Sequence, residues 1–168
     1  MTLATHAVTG ALIGAVASQN LVAAAAFGFV SHFLFDTIPH WDYKLGGVKD
    51  DTSDPLNTTM NVKGPQFVKD LAKIGFDFWL GMAIVFVMVA AQPLQIILGA
   101  FIGAFFAVIP DPLQFVYWKM RPRWMTPLQQ FHKYMHAKAH LKDQPLIGIS
   151  SQAVIILLTM VLFRLIYS

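Results

Sequence analysis

Cysteine is absent from this 168-residue chain, and so is glutamate. Without cysteine there is no disulfide, no thiolate metal ligand and no cysteine nucleophile, so any metal site has to be built from imidazole and carboxylate. All nine acidic residues are aspartate, and charged residues of both signs make up only 12% of the chain. Soluble domains usually carry about 25%. Hydrophobic residues instead reach 56%, with a mean hydropathy of +0.56. A soluble fold of this size cannot hide so much apolar surface, and a disordered chain would not carry it. The sequence reads as a membrane protein. Its net charge of +3 and pI near 9.3 are too mild, in so apolar a chain, to indicate nucleic acid.

Between Ala7 and Ile38 the only formally charged residue is Asp36. One helix of that length would span roughly 48 Å, against about 30 Å of hydrocarbon. The polar triplet Ser18-Gln19-Asn20 splits the run into a hairpin, about 4–18 and 21–38. A second hairpin, about 73–91 and 94–109, breaks at Gln92-Pro93, where proline cannot continue a helix. A last span runs from about 146 to 166. Several of these spans are short, which predicts local thinning of the bilayer or partial insertion. Ala15-Val16-Ala17 has the small-residue pattern of a signal-peptidase site, but no Lys or Arg precedes it, so the segment is read as a retained helix.

The connecting stretches, 41–72 and 112–145, are polar. The first, with Asp50-Asp51-Thr52-Ser53-Asp54-Pro55, reads as an interfacial loop over about 43–72 and lacks calcium-loop spacing. In the second, Thr126, Pro127 and Gln129 predict a capped helix start and a surface helix over about 127–142. Five spans place eleven of the twelve Lys and Arg on one side, leaving only Arg164 near the other. The expectation is therefore an inner, cytoplasmic membrane protein with its N-terminus inside.

A shift of 71 positions superposes the two hairpins without a gap: Gly10 meets Gly81, Gly28 meets Gly99, and Ile38-Pro39 meets Ile109-Pro110. His6 then falls on Asp77 and His40 on Asp111. The expected fold is all-α, with repeats over about 4–42 and 75–113 related by a parallel pseudo-twofold, plus the surface helix and a last span. Such a two-fold would gather all four polar side chains at one membrane face.

The densest motif is Ser31-His32-Phe33-Leu34-Phe35-Asp36-Thr37-Ile38-Pro39-His40-Trp41-Asp42. His32 and Asp36 share a helix face, and Pro39 predicts a turn that swings His40 and Asp42 back toward it. Imidazole and carboxylate without thiolate suit Zn, with Mn or Fe as alternatives. The core candidate ligands are His6, His40, Asp77 and Asp111, with His32 and Asp36 either binding a second ion or orienting the core ligands, for one or two ions in all. His132, His136 and His140 recur at spacing four; the first two are candidates to complete the site, and His140 reads as solvated beside Lys138 and Lys142. Asp42 is the candidate general base. Lys119, Arg121 and Arg123 either anchor the surface, as Trp41, Trp118 and Trp124 also would, or, for the two arginines, bind a phosphate.

A His ahead of a small-residue helix, then SHFLFDTIPHWD, then KIGFDFWLG, then an IPD turn and a late His together resemble the YdjM/YbcI-like family. Those are bacterial and archaeal proteins described as LexA-binding, inner-membrane-associated metal-dependent hydrolases. The resemblance spans about residues 3–140. It implies a multi-span protein with a metal-dependent hydrolase site, and carries over to His6, His32, Asp36, His40, Asp42, Asp77 and Asp111. The late motif departs: an Arg-x-x-Thr-His-Ser-like segment is replaced by Arg123-Trp124-Met125-Thr126, with His132 further on.

The expected activity is hydrolysis of an ester or phosphoester by metal-activated water, with a lipid or lipid-linked substrate suggested by a site at headgroup level. Two rivals stand beside it. A non-catalytic membrane scaffold or binding protein would keep the metal site structural. A divalent-cation transporter would need ionisable groups near the bilayer midplane, which the spans lack.

Overall fold

The computed structural model describes residues 1–51, 53–137, 141 and 143–168. The split at Ser18-Gln19-Asn20 is as expected. Helix α1 (Leu3–Val16) ends just before the triplet, and α2 (Leu21–Asp36) starts on Asn20, whose side chain accepts from the Val22 and Ala23 amides. That cap satisfies two of the four amides a helix start leaves free. The second hairpin also breaks where expected, between α3 (Gly64–Val89) and α4 (Leu94–Val108), with Pro93 at the cap position. Pro145 opens the last helix, α7 (Pro145–Tyr167).

Several boundaries differ from the sequence reading. The 43–72 stretch is not all loop. It holds a two-residue hairpin, β1 (Val48–Lys49) against β2 (Thr59–Met60), in register Val48 to Met60, and α3 begins at Gly64 rather than near 73. Pro65 supplies the pre-set first turn, and buried Asp70 stitches the new helical segment to the loop by accepting from the Gly46 and Gly47 amides. The polar residues there mark helix outside the apolar zone. The segment after Ile109 is likewise helical, as α5 (Pro110–Met120), because proline at a first helical position forfeits no bond and the Leu113 amide still reaches the Ile109 carbonyl.

The predicted surface helix is α6 (Thr126–Met135), and it stops seven residues short of 142. His136 turns extended, and the Ala137 amide donates to the Asp36 carbonyl at 2.8 Å, so the chain leaves helical geometry to dock on the end of α2. The capping box does not form. A 3-10 turn over Arg123–Met125 already supplies a backbone partner for the Thr126 amide, and the buried Gln129 side-chain nitrogen has no hydrogen-bond partner.

Among the described residues, three stretches are long and apolar enough to cross a membrane: Gly64–Val89, the continuous Leu94–Met120, and Pro145–Tyr167. Their outward faces carry large apolar residues such as Phe76, Trp79, Leu98, Leu157 and Leu165. Helices α1 and α2 are shorter, with 14 and 16 residues, or roughly 21 and 24 Å. The most enclosed element is α1, which packs on α2, α3, α4 and α7. Its closest partner is α4, where glycines let the backbones touch: a Cβ on Gly14 would lie 2.7 Å from the Gly103 Cα. A two-fold exchanging the hairpins would make the α1–α4 and α2–α3 pairings equivalent. The first is the most extensive in the molecule, whereas α2 and α3 barely meet. The repeat register thus does not extend to equivalent packing, because α1 has an Ala, Gly and Thr surface that allows burial on all sides and its counterpart α3 does not.

The two ends of the bundle differ in chemistry. At one, Gln95 donates to the Ser18 carbonyl and Gln92 to the Tyr167 carbonyl. At the other lie the N-terminus of α1, the C-terminus of α2, the start of α5 and the end of α6. Five histidines, His6, His32, His40, His132 and His136, meet there.

Candidate metal centre

Asp36, the last residue of α2, is the hub. Its carboxylate is 1% exposed, and each oxygen faces a different set of partners. Oδ1 lies 3.1 Å from His6 Nε2 and 3.9 Å from His40 Nε2. Oδ2 lies 3.2 Å from His32 Nε2 and 3.1 Å from His132 Nε2. His32 Nε2 is in turn 3.2 Å from His132 Nε2 and 3.6 Å from Asp111 Oδ1.

Each side chain has a local reason to be there. His6 and His32 stack, ring on ring, where α1 crosses α2. His32 and Asp36 sit one helical turn apart on the same face. Past α2 the chain turns as Pro39 predicts, and His40 folds back so that its Nδ1 donates to the Ile38 carbonyl at 2.7 Å. Asp111 occupies the first turn of α5, a helix end that favours negative charge. His132 comes from α6, whose departing chain is held by the Ala137-to-Asp36 backbone bond, and His136 follows at the helix end, its ring 4.8 Å from that of His40.

The hydrogen bonds also assign tautomers. A carbonyl can only accept, so His32, 2.8 Å from the Ala107 carbonyl through Nδ1, carries its proton on that atom, as does His40. Their Nε2 lone pairs then point into the cluster, held as an outer hydrogen bond holds a metal-binding imidazole. His40 Nε2 is buried and makes no hydrogen bond, although Asp42 Oδ2 lies 3.2 Å away; that contact is ionic in distance but not in hydrogen-bond geometry. The His32 and His40 acceptors therefore face the Asp36 carboxylate in a dry interior, an arrangement that favours a cation between them, while His6 and His132 can donate to the same carboxylate through Nε2.

A divalent ion fits this donor set. Ligands bound at about 2.0–2.2 Å in tetrahedral array stand roughly 3.3–3.6 Å apart, close to the 3.1–3.6 Å separations around Asp36 Oδ2. Three ligand groups lie within 4.8 Å: His6, His32 and Asp36; His32, Asp111 and His132; Asp36, His40 and His136. A buried His/Asp cluster able to hold a metal ion is thus present. Against it stands one resident cation, the Met1 ammonium, 3.0 Å from Asp36 Oδ1 and 3.0 Å from Asp42 Oδ1. His6 and His132 also lack an outer partner, since Nδ1 of each is buried without a hydrogen bond.

The cluster is closed below and open above. His6, His32, Asp36, His40 and His132 are buried, whereas the side chains of Asp111, His136 and Asp42 are 23%, 28% and 33% exposed. At that mouth, burial presses the His136 imidazole down to about 4. Burial would raise the Asp42 carboxyl, but the Met1 ammonium beside it holds it well below the usual carboxylate range.

Three sequence candidates do not join the cluster. Asp77 belongs to none of the three ligand groups among the described residues. Its carboxylate accepts from the Leu3 amide at 2.7 Å and the Ala4 amide at 3.2 Å, capping α1. The register with His6 is real in sequence, but α3 packs so that the carboxylate lies beneath the start of α1. Arg121, left-handed at the end of α5, donates to the Thr58 carbonyl and covers the Tyr117 ring. Arg123 lies in the 3-10 turn before α6. His140 falls outside the described residues.

Gln152 was missed. Buried on α7, it accepts from the Thr2 amide and donates to the Trp41 carbonyl, tying the start of α1 to the segment that carries His40 and Asp42. Its signal was an amide inside an apolar span, which hydrocarbon tolerates only when paired.

No family model, curated protein or solved structure matches this chain. Function has to be argued from the site itself.

Proposed function

We propose that the protein is a metal-dependent hydrolase of the cytoplasmic membrane, acting on an ester or phosphoester at the membrane surface. The observation that carries this reading is the set of imidazole lone pairs and carboxylate oxygens around Asp36, closed below and open at Asp42, Asp111 and His136. The motif resemblance to the YdjM/YbcI-like hydrolases points the same way. In this reading α1 and α2 join the three long helices as short spans, giving five. The Lys and Arg asymmetry supports a cytoplasmic site end.

His32, Asp36, Asp111 and His132 would hold the ion, which is Zn on the chemistry of the donors, with Mn or Fe as alternatives. A bound divalent ion supplies Lewis acidity and lowers the pKa of its water toward neutrality. His32 and His40 are kept in the ligating tautomer by the Ala107 and Ile38 carbonyls. Asp42, ionised at the rim, would orient the attacking water. A lipid or lipid-linked substrate is the class that a site at headgroup level would favour.

Elemental analysis of protein purified in detergent tests the metal, and hydrolysis of ester and phosphoester panels tests the activity. Bound transition metal together with turnover lost in His32→Ala supports the reading. Metal-free protein that neither rebinds Zn nor hydrolyses any member of the panels overturns it in favour of a scaffold.

A further inference from the structure

Asp36 uses its two oxygens for two different sets of nitrogens, and this division is not what a single metal requires. A mononuclear site takes one carboxylate oxygen, or chelates with both from one direction. Here Oδ2 meets His32 and His132 at 3.2 and 3.1 Å, with Asp111 3.6 Å beyond His32. Oδ1 turns the other way, to His6 at 3.1 Å and His40 at 3.9 Å, and His136 shares a ligand group with Asp36 and His40. Seven His and Asp side chains around one hub also exceed what one four-coordinate ion can take.

We infer that the centre is dinuclear, with Asp36 as a carboxylate bridging one ion held by His32, Asp111 and His132 to a second held by His40 and His136. This rests on the metal-centre reading above and adds its stoichiometry and its partition. Two features on the second side support it independently of the first. His40 Nε2 is buried without a hydrogen bond while its Nδ1 is already committed to a carbonyl, so the free lone pair faces Asp36 and Asp42 with no donor among the three. His136 is brought beside it, ring centroids 4.8 Å apart, because the chain breaks out of α6 to bond the Asp36 carbonyl. The rival occupant is the Met1 ammonium, which already neutralises Asp36 Oδ1 and Asp42. If it suffices, one ion fills the centre.

The test is metal stoichiometry with a spectroscopic reading of the bridge. Detergent-solubilised full-length protein is stripped with chelator, titrated with Co2+, and examined by elemental analysis and EPR. The expected result is two equivalents per chain with the reduced, exchange-coupled EPR signal of a bridged pair. His136→Ala and His132→Ala should each retain one equivalent, now with the full signal of isolated Co2+. His136 lies at the exposed rim, so its variant perturbs packing least; monodisperse elution checks the fold of both. One equivalent in the wild type, or two uncoupled equivalents, would overturn the bridged pair and leave a metal-dependent hydrolase standing. No binding at all would remove both readings together.

Discussion

Asp77 offers the sharpest separation between a ligand and a structural cap. Its carboxylate accepts the Leu3 and Ala4 amides, two of the four donors that the start of α1 leaves without helical partners, and the site is 9% exposed. In Asp77→Ala both amides lose their acceptor in surroundings that exclude water. Each buried unsatisfied group costs about 1–3 kcal/mol, and hydrogen bonds to a charged group sit at the upper end. With some relaxation the loss should be about 2–4 kcal/mol. In a domain of this size each kcal/mol shifts the midpoint by about 2–4 °C, so the apparent Tm should fall by roughly 5–15 °C. Asp77→Asn keeps one acceptor oxygen and should lose about half as much. Metal content per folded chain should not change in either variant. Thermal unfolding in detergent, read beside elemental analysis, measures both quantities. An Asp77→Asn protein with wild-type Tm and no metal would refute the capping argument and restore Asp77 as a ligand.

Gly103→Ala should be destabilised by about 1–3 kcal/mol, since its Cβ would lie 2.6 Å from the Gly14 Cα and 2.9 Å from the Gly14 nitrogen, backbone that cannot step aside; a Tm equal to wild type would contradict the α1–α4 packing. Cysteines introduced at Asp50 and Gln130 should label only from the cytoplasmic face and one at Ser168 only from outside, with no native cysteine to interfere; the opposite pattern would invert the topology. Metal-free protein should lose stability as pH falls from about 6.5 toward 4. The folded state keeps His136 neutral to about 4 whereas the unfolded chain protonates it near 6.5, and Asp42 adds a loss in the same direction at lower pH; a Tm that holds or rises over that range would contradict the burial of His136.

What the sequence by itself determined is local. Asn20 and Pro93 end and restart helices through one cap and one missing amide, so both hairpin turns were legible. His32 and Asp36 share a face because four residues make about one turn, and Pro39 returns His40 for a similarly local reason. The extents of α3, α5 and α6 were not legible, because polarity marks where a chain meets water and not whether it is helical. Asp70 holds two loop glycines from 24 and 23 residues away, and α6 ends on a bond to a carbonyl 101 residues earlier. The site divides the same way. Spacing identified His32, Asp36, His40 and Asp42 and drew His132 and His136 in as candidates. The repeat proposed His6, His40, Asp77 and Asp111 on equal terms, yet only three of the four reach the cluster. That choice belongs to tertiary structure: α1 can be buried on every side and α3 cannot, so the carboxylate paired with His6 in register ends beneath a helix start, where two backbone amides claim it.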